Sequence, residues 1–124
     1  MKPFATLLTS LVLGFSVPTC LAVGYSWLND APVRYFSDQD WDMMNANMQR
    51  ALDEAADGET LLWQNDGSGN HGSAMPTTSF DRDGRRCRTL VIMNQARRLT
   101  GGGTYDFCLG ADGSWQAMNA PKLR

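Results

Sequence analysis

The hydrophobic period of this chain changes once, at Gly58, and that change restricts the folds open to it. Before Gly58, Trp41, Met44, Met48, Ala51, Leu52 and Ala55 recur close to every 3.6 residues, the apolar stripe of an amphipathic helix. Ser37 is a good N-cap, Asp38, Asp40 and Asp42 stand in the first turn where the helix dipole favours negative charge, and Gly58 is expected to close the helix in a left-handed conformation. After Gly58, extended segments alternate with turn signals. Residues 60–64 and 73–80 are strand candidates separated by the glycine-rich "NDGSGNHG", and Pro76 assigns the second to an edge or a bulge. Asp83-Gly84 predicts a tight turn into "RRCRTLVIM", residues 85–93, the strongest strand signal; residues 101–110 and 114–118 supply two more. The expected fold is α+β: one N-terminal amphipathic helix packed on an antiparallel meander sheet of about five strands.

Ahead of the helix, Met1 and Lys2 precede an apolar stretch from Phe4 to Val17, then Pro18 and the small-residue site Cys20-Leu21-Ala22. The stretch is too short and too polar for a span needing about 20 apolar residues, and the layout is that of a secretory leader over residues 1–22. Residues 23–36 read as an irregular lead-in with aromatics Tyr25, Trp27, Tyr35 and Phe36, and residues 37–124 as a single domain. Removing the leader leaves about 100 residues, enough for one core and not for two.

It also leaves two cysteines, Cys87 and Cys108. In an exported chain such a pair is expected to be oxidised, and closing this loop contributes roughly 3 kcal/mol in the chain-entropy picture. Because side chains alternate along a strand, Cys87 shares a face with Thr89, Val91 and Met93; that face is expected to look into the core, with Arg86 and Arg88 pointing outward.

A net charge of -2 argues against a general nucleic-acid partner, which needs clustered positive charge. The charges are segregated, however. Only Arg34 and Arg50 accompany the acids between Asp30 and Asp66, whereas the stretch from Asp81 to Arg98 is rich in arginine. Arg85, Arg86, Arg88, Arg97 and Arg98 form a candidate contact surface for an anionic envelope component or an acidic protein patch. The "GSGNHG" loop, with Asn70 and His71, is the second candidate, since exposed loops on a rigid sheet often carry binding residues.

His71 is the lone histidine, and no Ser-His-Asp or Cys-His arrangement accompanies it. With the cysteines paired, no zinc set can be assembled, so no catalytic residue, metal or cofactor is expected. The alternatives are a small periplasmic enzyme or inhibitor using His71 with a neighbouring carboxylate and, more remotely, Cu(I) held by Met43, Met44 and Met48 with His71. The carboxylates of the helix region fit capping and a solvated face, and Trp63 and Trp115 fit core or edge positions.

"LLWQNDGSGNHGSAMP" at 61–76, "GRRCRTL" at 84–90 and "CLGADGSWQAM" at 108–118, in that order, resemble the rickettsial-type 17 kDa outer-membrane surface antigen family. The resemblance covers about 55 residues, nearly the whole expected sheet, and implies a noncatalytic bacterial envelope protein, often a lipoprotein, in the periplasm or at the outer membrane of a Gram-negative cell. The family's lipidation motif has Gly or Ala just before the cysteine, whereas here Pro18-Thr19 precede Cys20. Cys20 is therefore expected to leave with the leader, with lipidation at Cys20 as the alternative. The cysteine pairing makes a direct prediction: the mature chain gains the mass of two hydrogen atoms on reduction, and an unchanged intact mass refutes the pairing.

Overall fold

The computed structural model describes residues 31–118 together with Gly14; the expected leader, with Cys20, and residues 23–30 of the lead-in lie outside the described residues. Where an irregular lead-in was expected, Pro32–Tyr35 form a 3-10 turn with Pro32 and Val33 buried. Proline at its start supplies a fixed φ and lacks only an N–H that the first turn leaves unbonded in any case.

Helix α1 spans Asp38–Glu54 and is capped by Ser37, whose hydroxyl accepts from the Asp40 N–H while the Asp40 carboxylate accepts from the Ser37 N–H. This reciprocal box satisfies two of the backbone donors that a helix N-terminus leaves open. The helix stops at Glu54 with Ala55 extended, earlier than the glycine signal suggested; Gly58 has φ 87 in the following turn and donates its N–H to Pro76 O.

Five strands follow in meander order, β1 (Leu61–Gln64), β2 (His71–Arg82), β3 (Arg85–Ala96), β4 (Leu99–Leu109) and β5 (Trp115–Ala117), each antiparallel to its neighbour. The α+β expectation holds. Pro76 stands where the β2–β3 register shifts, and the β1 ladder ends at Leu61↔Ala74, so the proline lies beyond the part of β2 that β1 covers. Both long hairpins close with two-residue turns whose central residues have positive φ: Asp83 (52) with Gly84 (75), and Arg97 (49) with Arg98 (64). The first is ordinary for such a turn. The second is not, because a left-handed conformation costs a residue with a Cβ roughly 1 kcal/mol.

The core lies between α1 and one face of the sheet. Met44, Met48, Ala51 and Leu52 pack with Trp63, Ala74, Leu90, Ile92, Phe107 and Trp115, and Val33 closes one side. The inward residues of β3 are therefore Arg88, Leu90, Ile92, Asn94 and Ala96, while Cys87, Thr89, Val91 and Met93 lie on the face turned away from the helix. The expected grouping of Cys87 with Thr89, Val91 and Met93 is correct, but their side of the sheet is reversed, since Leu90 and Ile92 are the pair that meets the helix. Cys87 and Cys108 are direct partners across β3 and β4 and are disulfide-bonded; in register Phe80 and Gln116 flank them, and both cysteines are fully buried.

The reversal brings Arg88 inside, where its side chain is 3% exposed. Its Nη1 donates to Ala51 O (2.9 Å) and Leu52 O (3.0 Å), its Nε to Ser79 Oγ (3.0 Å) and its Nη2 to Asp57 Oδ1 (2.8 Å). One guanidinium thus caps carbonyls that the last turn of α1 leaves free and places positive charge at the negative end of the helix dipole. The Arg88 hydrogen bond, followed by that from Ser79, holds the Asp57 carboxyl below the usual carboxylate range. Arg88→Ala is expected to lower unfolding free energy by about 3 kcal/mol, the scale for losing charged, buried hydrogen bonds. Arg88→Lys should lose nearly as much, because one ammonium cannot span four acceptors on three segments. Denaturant titration of the oxidised proteins measures both, and a loss under about 1 kcal/mol for Arg88→Ala contradicts the clamp.

Candidate functional site

The asparagine-rich loop and the arginines are the places where this sheet presents chemistry. The loop between β1 and β2 is built around a buried carboxylate. Asp40 Oδ1 accepts from Asn65 Nδ2 (2.8 Å) and Ser68 Oγ (2.6 Å), and Oδ2 accepts from Asn70 Nδ2 (2.8 Å) and the Ser37 N–H (2.8 Å). Within the loop, Asn65 Oδ1 accepts from the Gly67 N–H, Ser68 Oγ from the Asn70 N–H, and Asn65 O from the Gly69 N–H. Asn70 Nδ2 also reaches Tyr35 O at 3.4 Å. Burial alone would raise the Asp40 pKa; the hydrogen bonds from Ser68, Ser37, Asn70 and Asn65 outweigh it and lower it from 3.8 to about 2.

Asn70, expected as an exposed binding residue, is thus buried and spends its amide on Asp40. His71 is half-buried, with Nδ1 3.3 Å from Gly69 O. It shares a shallow depression of about 160 Å³ with Leu62, Ser73, Met93, Gln95 and Thr100, and no carboxylate lines it. The copper set does not assemble. Met44 and Met48 are buried under the helix, whereas His71 pairs with Gln95 on the opposite side of the sheet. Among the described residues no three of His, Cys, Asp and Glu converge as a ligand set.

The five candidate arginines do not form one patch. Arg88 is the buried clamp. Arg85 and Arg86 stand at one end of β3 and Arg97 and Arg98 just past the other, roughly 36 Å apart at about 3.3 Å per residue. Arg85 lies across the neighbouring strands, donating to Leu109 O, Cys108 O and Gln116 Oε1, and Arg86 is exposed with its guanidinium 5.8 Å from the Trp115 ring. At the far end Arg97 sits 4.2 Å over the Tyr35 ring, and Arg97 and Arg98 are both exposed. Four buried polar groups were missed from the sequence: Asp40, read as a first-turn charge, and Asn47, Asn65 and Asn94. The Ser37-x-x-Asp40 box was a visible sign of the first. Nothing local signals Asn94, whose amide lies in the core beside Gly72 and Trp63 Nε1.

Sequence comparison matches a set of rickettsial proteins. Over 87 residues the chain is 31% identical to the 17 kDa surface antigen of Rickettsia prowazekii (strain Madrid E), and 30% identical to that of Rickettsia bellii (strain RML369-C). Its likeness is to the 17 kDa surface antigens. The same match, at 31%, extends to the 17 kDa surface antigen of Rickettsia conorii. The aligned region takes in 66% of this chain and 52% of each relative, so the chain spans about half the length of the surface antigens it matches. No family model matches the chain, and no solved structure matches it significantly.

The loop geometry carries a pH prediction. Because the folded pKa of Asp40 is below its ordinary value, its stabilisation is fully present above about pH 4 and is lost as pH falls through about 2. The stability gap between wild type and Asp40→Asn should therefore shrink by on the order of 2 kcal/mol between pH 6 and pH 2. Urea unfolding at the two pH values tests this, and a gap independent of pH contradicts it.

Proposed function

We propose that this chain is a noncatalytic, exported bacterial envelope protein of the surface-antigen kind, with a structural or partner-binding role. The observation that carries the proposal is the Cys87–Cys108 disulfide, buried within the β3–β4 ladder of a chain whose relatives are named surface antigens. A buried bond of this kind suits a protein that folds in an oxidising compartment and would go unformed in a reducing cytosol. The exposed cations stand at two separate ends of the sheet, Arg86 with half-exposed Arg85 at one and Arg97 with Arg98 at the other, and each end is open to an anionic envelope component or protein partner. Among the described residues no carboxylate lines the His71 depression. No helix among the described residues is long and apolar enough to cross a membrane.

Expression of the full chain in a Gram-negative host, followed by fractionation and intact-mass measurement, tests the proposal. A mature protein beginning near Val23, or a diacylated chain beginning at Cys20, recovered with the envelope supports it and separates a periplasmic from an outer-membrane protein. A chain that keeps residue 1 and stays reduced in the cytosol overturns it.

A further inference from the structure

We infer that the β3–β4 hairpin tip, with the 3-10 turn beside it, is a docking surface for the phosphate headgroups of an anionic lipid bilayer. This deepens the envelope proposal and rests on it.

The first observation is conformational. Arg97 and Arg98 occupy both central positions of a two-residue turn at φ 49 and 64, positions that Asn-Gly would fill without strain. Consecutive non-glycine residues in the left-handed region point to a use for their side chains. The second observation is the company they keep. Arg97 is stacked on Tyr35, Arg34 precedes Tyr35 in the same turn, and Leu99 follows Arg98. All five side chains reach solvent, and the two apolar ones are among the few large hydrophobic residues exposed, Tyr35 at 41% and Leu99 at 39%. Guanidinium groups interspersed with one aromatic and one aliphatic side chain match a membrane–water boundary, where cations meet phosphates and a Tyr or Leu enters the headgroup layer.

The third observation is that no carboxylate neutralises these charges through an ion pair. Ion pairs among the described residues involve Arg82 and Arg88, and none involves Arg34, Arg97 or Arg98. Asp40, which reaches this end through Asn70 and Tyr35 O, is buried and already accepts four hydrogen bonds. Arg85 and Arg86, at the other end of the sheet, would face away from the bilayer.

The test compares binding of the purified mature protein to vesicles of phosphatidylcholine alone and of phosphatidylcholine mixed equally with phosphatidylglycerol, at low salt. Binding to the mixed vesicles is expected to exceed binding to the neutral ones by about tenfold or more. The double variant Arg97→Asn/Arg98→Gly removes both charges and places Asn-Gly in the turn, so it should melt at a higher temperature and yet bind mixed vesicles about tenfold more weakly. Arg85→Gln/Arg86→Gln should bind as wild type does. The single variant Arg98→Gly, which keeps the Arg97–Tyr35 stack, should fall between. Equal binding to the two vesicle types, or undiminished binding by the double variant, overturns the inference. A separate titration with inorganic phosphate distinguishes the sources: saturable binding that displaces vesicles would show a pocket for free phosphate and also overturn it. Failure of lipid binding in a protein that still fractionates with the envelope sinks this surface alone, whereas a cytosolic location sinks the underlying proposal.

Discussion

The Asp40 carboxylate is the point on which the helix, the loop and the sheet agree. Its two oxygens accept from four donors on three segments: the N-cap residue, Asn65 at the end of β1, and Ser68 and Asn70 just before β2. A loop of this composition forms local turns readily, as the Gly67 N–H to Asn65 Oδ1 bond shows, but local turns alone do not fix where it sits on the domain. Anchored to a buried anion, it sets where β1 ends and β2 begins, and hence which residues of the first hairpin face the helix. A carboxylate removed from water is costly unless its lone pairs are filled, and here the donors come from the loop that most needs order.

The opposite end of the helix is treated in the complementary way. Arg88 brings a cation from the middle of the sheet to the last-turn carbonyls of Ala51 and Leu52, and it is tied in turn to Ser79 on β2 and to Asp57. An anion at the N-terminus and a cation at the C-terminus both follow the sign of the helix dipole. Apolar packing of Met44, Met48, Leu90 and Ile92 can tolerate some sliding of a helix over a sheet. Two directional charge clusters at its ends restrict that sliding.

The helix, the five-strand meander and the cysteine pairing were legible in the sequence because each rests on local signals: a 3.6-residue stripe, an Asp-Gly turn, and two cysteines remaining after a leader. The side of the sheet was not. In "RRCRTLVIM" the two alternating sets are nearly equal in apolar character, Leu90 and Ile92 against Val91 and Met93, so only the tertiary contact with α1 decides between them. The same ambiguity hid Arg88, which reads as a surface cation until the helix C-terminus is placed over it. Gly58 misled in a smaller way; the chain leaves the helix at Ala55 and uses the glycine in the next turn. Asn70 and His71 were singled out as exposed loop chemistry, and the structure divides them, one committed to Asp40 and the other to a shallow hollow on the far face.

That far face explains where the disulfide is placed. The helix covers one side of the sheet, and on the other Leu62 and Met93 are exposed. Cys87 and Cys108, directly opposed and fully buried between Phe80 and Gln116, join β3 and β4 covalently on the face turned away from the helix. The Arg88 clamp springs from the next residue along β3 and points the other way. Two adjacent positions on one strand therefore secure the sheet by different means, a covalent bond on the face turned from the helix and charged hydrogen bonds under it.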